Sequence, residues 1–252
     1  MTKLKGLLLT EGMHGMISQV EGLAKALNLE FIHEKIELNN FDFVIAPEHD
    51  ALEGKNVLKT KGAIHYLTKE ELEENVNYLK PRIKKEKVIV FIAGGPNKYY
   101  DFNDEIIEEI FVKTKKNFIN QGYQLIFIPS MRTPQRIIDK ARNFFDDDQI
   151  IIQDIDKKAY LSSLRLSNHI IVTCDSTSMI SEAAMSGKPI YVAQMPAIKK
   201  NIRFKKFFEL FKSLEIIKNL EDRVEEWNYK KLNETDRISG YIEKQFKDYD
   251  FS

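Results

Sequence analysis

The chain has 252 residues, enough for one large domain or two small ones with a sizeable core. Lys+Arg and Asp+Glu both number 38, so no net basic field recruits nucleic acid or an acidic membrane surface, and peripheral membrane contact would need a local patch. The single Cys174 excludes an intramolecular disulfide and a multi-cysteine zinc site, and fits a reducing, cytoplasmic setting.

Residues 4–10 predict a strand that leads into a glycine-containing turn, which is too short an apolar run for a signal peptide. No run reaches the length of a transmembrane segment. Residues 18–27 predict a helix with Val20, Leu23, Ala24 and Leu27 on one face. Two further strands are expected over 31–38 and 41–46, separated only by Asn39 and Asn40. Thr68 predicts an N-cap for a charged helix over 69–79, with Glu71 completing a capping box. Residues 81–86 are polar and lysine-rich, as expected of a linker.

From there the alternation becomes regular. Strands are expected at 87–93, 124–129, 149–153, 169–174 and 189–193, and helices at 103–120, 134–145, 157–166 and 178–186. Short apolar strands alternating with helices predict an α/β fold with a parallel, doubly wound sheet. Residues from 201 to the end read as helical, with Phe204, Phe207, Phe208 and Phe211 as a core stripe.

In such a sheet, ligands bind outside the carboxyl ends of the strands. Strand 169–174 leaves through Asp175, Ser176, Thr177 and Ser178 into a helix N-terminus, an arrangement that suits a phosphate through free N–H groups and the helix dipole. The same residue types serve as plain helix caps, so capping and binding stand level on this segment alone. Glu182 lies one turn further along, placed to accept hydrogen bonds from sugar hydroxyls. Strand 87–93 leaves through Gly94, Gly95 and Asn97, whose glycines permit close backbone approach to an anion. Strand 124–129 leaves through Arg132, a phosphate contact or a solvated surface side chain, followed by Thr133 as N-cap and Pro134 at the first helical position. Strand 149–153 leaves through Asp154 and Asp156, the latter best read as a cap.

Neither GxGxxG nor a P-loop is present, nor a GxSxG elbow, nor HExxH spacing among the five histidines. The triplet Glu48-His49-Asp50 reads as a polar turn or as the holder of a general base, with His14 a second candidate base.

Gly94-Gly95-Pro96-Asn97-Lys98-Tyr99-Tyr100, Ser130-Met131-Arg132-Thr133-Pro134 and the run from Asp175 to Ala183 resemble the elongated-mitochondria fission family. So do Phe41-Asp42, Pro47-Glu48-His49-Asp50 and Asn56-Val57-Leu58, with Gly15, Gln19 and Gly22-Leu23-Ala24 near the start. Bacterial members are commonly labelled predicted nucleoside-diphosphate-sugar epimerases, and plant members are associated with recruiting a dynamin-related protein to mitochondria. The family is in turn similar to GT-B glycosyltransferases, whose two Rossmann-like domains hold a nucleotide-sugar. The resemblance implies diphosphate contacts from Ser176, Thr177 and Ser178, ribose contact from Glu182, and Gly95 and Asn97 near the phosphates or sugar.

It implies a GT-B-like protein with a shortened N-terminal α/β domain over 1–80, a linker over 81–86, a Rossmann-like nucleotide-sugar domain over 87–200 and a helical segment over 201–252. The shortening falls between Leu38 and Phe41, where the family carries several more βα units; the strand-like runs on either side pair as a hairpin or do not pair. The expected activity is metal-independent glycosyl transfer from a nucleoside-diphosphate sugar, with no cofactor and with His49 or His14 as base. An epimerase and a non-catalytic scaffold are the alternatives.

Overall fold

The computed structural model describes residues 5–9, 14–34, 43–50, 52–221 and 224–247. They divide into two compact units, Met1–Leu67 with Leu232–Ser252, and Thr68–Lys231.

The first unit holds β1 (Lys5–Leu9), α1 (His14–Ala26), β2 (Glu30–Glu34), β3 (Val44–Pro47) and β4 (Val57–Thr60). β1 pairs with β2 and β3 with β4, both in parallel, as two separate two-stranded sheets. The described parts of the two runs, β2 and β3, do not pair with each other; the expected hairpin segment on either side of Asn39-Asn40 falls within residues 35–42, outside the described set. α1 stops because Asn28 takes a left-handed φ of 51°, so that its own N–H and that of Leu29 reach back to Lys25 and Ala24.

The second unit opens with α2 (Lys69–Leu79), whose capping box is present as expected. Glu71 N donates to Thr68 Oγ1 at 3.1 Å, and Thr68 N to the Glu71 carboxylate at 3.3 Å. Thr68→Ala is expected to cost about 1 kcal/mol, read as a lower urea midpoint with unchanged m-value. The Rossmann-like part then runs β5 (Lys87–Ala93), α3 (Asp104–Asn117), β6 (Tyr123–Pro129), α4 (Gln135–Phe144), β7 (Ile150–Ile151), α5 (Lys157–Leu166), β8 (His169–Thr173), α6 (Thr177–Ala184), β9 (Ile190–Ala193), α7 (Ile202–Ser213) and β10 (Ile217–Asn219). α2 packs on α5: Leu79 N donates to Ser162 Oγ, which donates to Val76 O. Residues 69–79 therefore lie in the second unit, with the boundary at Leu67 rather than at residue 80.

All strands of this sheet are parallel, in the order β10-β9-β8-β5-β6-β7. β5 begins in the middle, the chain builds outward through β6 and β7, and then crosses back to β8. That reversal creates a topological switch point between β5 and β8, where α/β sheets take ligands. β5, β6 and β8 are buried almost throughout, which explains their largely apolar sequence.

One expectation needs correction: the segment from 201 onward is not all helix. α7 ends at Ser213, and just beyond it Glu215 takes a left-handed φ of 56°, with Glu215 N and Ile216 N bonding back to Lys212 O and Phe211 O. β10 follows at the sheet edge, and the described residues after it form no further helix or strand until α8 (Glu234–Lys247), which belongs to the first unit. There Thr235 Oγ1 donates to His65 O at 2.8 Å and accepts from His65 N at 3.0 Å. Buried Glu234 accepts from Lys61 N and from Arg237.

Burial lowers the His65 pKa from 6.5 to about 4. A depressed histidine pKa means that the folded state binds fewer protons than the unfolded one. Its stabilising contribution is therefore full above about pH 6.5 and is lost as pH falls toward about 4. Urea unfolding of the wild type is expected to show that loss, and His65→Gln to flatten it.

Candidate nucleotide-binding site

The exits of β5, β6 and β8 are fastened together by a buried carboxylate. Asp175, whose side chain has 0% exposure, accepts from Gly95 N at 3.1 Å, Thr173 Oγ1 at 2.6 Å and an Arg132 Nη at 2.6 Å. Thr173 Oγ1 also accepts from Gly94 N at 2.8 Å. Arg132 donates its other Nη to Gly95 O at 3.1 Å and stays 40% exposed. Asn97 donates to Asp175 O at 3.0 Å and accepts from Tyr99 N and Tyr100 N, which shapes the loop leaving β5.

The two glycines are required by this closeness. A Cβ on Gly94 would lie 2.2 Å from the Asp175 carboxylate oxygens, and one on Gly95 1.9 Å from Arg132 O. Gly94, Gly95, Asn97 and Asp175 thus set the shape of the site through bonds inside the protein. Thr133 differs from its expected role. It does not cap α4, whose N-cap is Pro134; its hydroxyl lies 2.8 and 2.7 Å from Ala93 O and Gly94 O and accepts from Ser130 N. The β6 exit is in this way tied to the β5 exit. Asp156 caps α5 through Ala159 N, and Asp154 at the β7 exit is exposed.

What this frame presents is the first turn of α6. Ser176 is the N-cap, its hydroxyl accepting from Met179 N at 3.3 Å. The N–H groups of Thr177 and Ser178 precede any intrahelical acceptor, and both side chains are partly exposed. One turn on, Glu182 accepts from the Tyr160 hydroxyl at 2.9 Å. Burial raises its pKa from 4.5 to about 7, against the opposing pull of that hydrogen bond. A carboxylate that uncomfortable, beside a helix N-terminus, gains from a ligand that donates hydroxyl hydrogens to it. Tyr160 was not foreseen; its position on α5 carries no local motif.

The candidate bases lie in the first unit. His49 follows β3 in a short 3₁₀ turn and is 6% exposed, its Nε2 3.6 Å from Asp50 Oδ1. His14 is the first residue of α1, and its side chain lies outside the described set.

The sequence pattern of the mitochondrial fission ELM1 family matches residues 33–246. The chain belongs to the ELM1 family. Among its relatives, the uncharacterized protein RP120 of Rickettsia prowazekii is 29% identical over 211 residues, covering 79% of this chain and 58% of its own length. The mitochondrial fission protein ELM1 of Arabidopsis thaliana is 26% identical over 245 residues, covering 84% of this chain and 56% of its own. This ELM1-family chain therefore spans somewhat more than half the length of those relatives.

Among solved structures, an S. aureus MnaA–UDP complex has a TM-score of 0.50 at 11% identity, covering 99% of this chain and 88% of that one. A Neisseria meningitidis UDP-GlcNAc 2-epimerase bound to UDP-GlcNAc has a TM-score of 0.44 at 15% identity, covering 80% and 58%. The likeness to MnaA, with the parallel sheets, makes the ELM1-family chain a GT-B-like α/β protein.

Proposed function

We propose that the protein holds a nucleoside-diphosphate sugar at the β5/β8 switch point and transfers its sugar without a metal. The observation that carries this reading is the pairing of a partly exposed α6 first turn with the partly buried Glu182 side chain one turn away. The Thr177 and Ser178 N–H groups and hydroxyls suit a diphosphate, and the half-exposed Arg132 adds positive charge. The Glu182 carboxylate suits the two ribose hydroxyls. In transfer, the bond from the sugar's anomeric carbon to the phosphate oxygen breaks, and the diphosphate leaves with the electron pair. An acceptor oxygen bonds to that carbon and passes its proton to a general base, the role expected of His49 or His14. The helix end and Arg132 face the charge that develops on the leaving group, which is where electrostatic stabilisation acts most strongly.

Thermal unfolding with UDP, GDP, ADP and CDP and their sugars tests the binding step. One diphosphate is expected to raise the melting temperature, since ligand at about 100 times its Kd stabilises by about 2.7 kcal/mol. If no nucleotide does so at millimolar concentration, the binding proposal falls. Release of free sugar or of a transferred product from the bound donor supports transfer, whereas a changed sugar stereocentre on an intact nucleotide supports epimerisation instead.

A further inference from the structure

The connection from β9 into α7 is rich in cations and lacks acidic residues. From Ala183 to Phe208 there is no Asp or Glu, while Lys199, Lys200, Arg203, Lys205 and Lys206 crowd into a short stretch. All of these cations are exposed. Among them stand Ile198 and Ile202, with 64% and 71% of their surface in solvent. Together with Met131 and Ile155, at 68% and 59%, they are the most exposed large apolar side chains among the described residues. All of them follow strand exits on the carboxyl edge of the same sheet. Single exposed aliphatics are ordinary, but aliphatic tips embedded in a cation cluster are not.

The segment is held in shape. Asp101 N donates to Pro196 O at 2.9 Å, Ile198 N donates to Tyr99 O at 2.8 Å, and Tyr100 bridges to Ala197. Phe204 packs on the rings of Tyr99 and Tyr100, while Phe207, Phe208 and Phe211 bury the inner face of α7. Helical spacing puts Ile202, Lys205 and Lys206 on the other side. The first turn of α7 carries no acidic residue and several basic ones, although the helix dipole favours the reverse.

We infer that residues 198–206 form a docking surface for an anionic lipid bilayer. Ile198 and Ile202 enter the headgroup boundary, and Lys199, Lys200, Arg203 and Lys206 meet lipid phosphates, while Lys205 pairs with Glu209 at 3.7 Å. Attachment is peripheral in kind, because no helix among the described residues is long and apolar enough to cross a membrane. A bilayer fits better than nucleic acid, which takes cations with stacking or hydrogen-bonding groups rather than aliphatic tips. It also fits better than a protein hot spot, which centres on aromatic anchors.

Vesicle co-sedimentation tests this. Wild type is expected to pellet with phosphatidylcholine vesicles containing about 30 mol % phosphatidylglycerol, but not with phosphatidylcholine alone, and to be released by high salt. Lys199→Glu with Lys200→Glu should weaken binding at least about tenfold. Ile198→Ser with Ile202→Ser should weaken it severalfold while circular dichroism stays unchanged, as expected for exposed positions. Failure of wild type to pellet with the anionic vesicles overturns the inference. So does binding that survives the charge reversals. Equal binding to a duplex oligonucleotide, with no effect of the isoleucine changes, overturns it as well and marks a general polyanion surface.

Discussion

Asp175→Ala is expected to destabilise the second unit by roughly 3 kcal/mol, because it strips the partner from several buried donors at once. Gly95 N, the Thr173 hydroxyl and Arg132 all converge on that carboxylate, and no water-filled space replaces it: its side chain has 0% exposure. Arg132→Ala should cost much less, about 1 kcal/mol, since its guanidinium is 40% exposed and Asp175 keeps its other donors. The double variant should fall well short of the sum, because both changes break one network. Chemical denaturation followed through the second unit measures all three. A loss below about 1 kcal/mol for Asp175→Ala would show that the strand exits hold together without it. Nucleotide binding should go with the fold of these loops, so the same variant should give no ligand-induced thermal shift.

The second large effect concerns Glu182→Gln, which is expected to stabilise the free protein at pH 8 while removing nucleotide binding. The sign follows from the raised pKa. A carboxyl whose folded pKa sits near 7 rather than 4.5 holds its proton more tightly in the folded state. Its contribution to stability is full below about pH 4.5 and is lost as pH rises through about 7. Replacing it by a neutral amide should therefore change little at low pH and gain about 2 kcal/mol at pH 8. The amide cannot offer two anionic oxygens to a ribose diol, so affinity should fall at least about tenfold. Wild-type affinity should also weaken as pH drops below 7, where the carboxyl takes up its proton, and the variant should lack that limb. A Glu182→Gln protein that is less stable at pH 8, or that binds nucleotide with an unaltered pH profile, would remove this residue from the site.

Much of the second unit was legible because its strands are buried on both faces. Residues 87–93 and 157–166 were read with the boundaries they have, since an unbroken apolar run and a capped amphipathic run leave little choice. Thr68 with Glu71, and Asp156, could be read as caps for the same local reason. The misses come from long-range partners. Thr133 carries every local sign of an N-cap, yet its hydroxyl bonds to the carbonyls of the neighbouring β5 exit. β10 was hidden because the chain leaves α7 through Glu215 in a left-handed conformation, where sequence signals would favour glycine or asparagine. The grouping of α8 with the first unit depends on bonds such as Thr235 to His65, 170 positions apart, which no local pattern records. At the site, the residue types were readable but their division of labour was not. Asp175 and Asn97 look like ligand contacts in sequence, and only the packing of the strand exits shows their polar atoms bonded inside the protein.

Calorimetric titration at pH 8 of a nucleoside diphosphate into wild type and Glu182→Ala tests the nucleotide-holding role most directly. Wild type should bind one equivalent of at least one diphosphate, and the variant, folded by circular dichroism, should bind it at least about tenfold more weakly. Absence of binding by every nucleoside diphosphate, or undiminished binding by the folded variant, would contradict it.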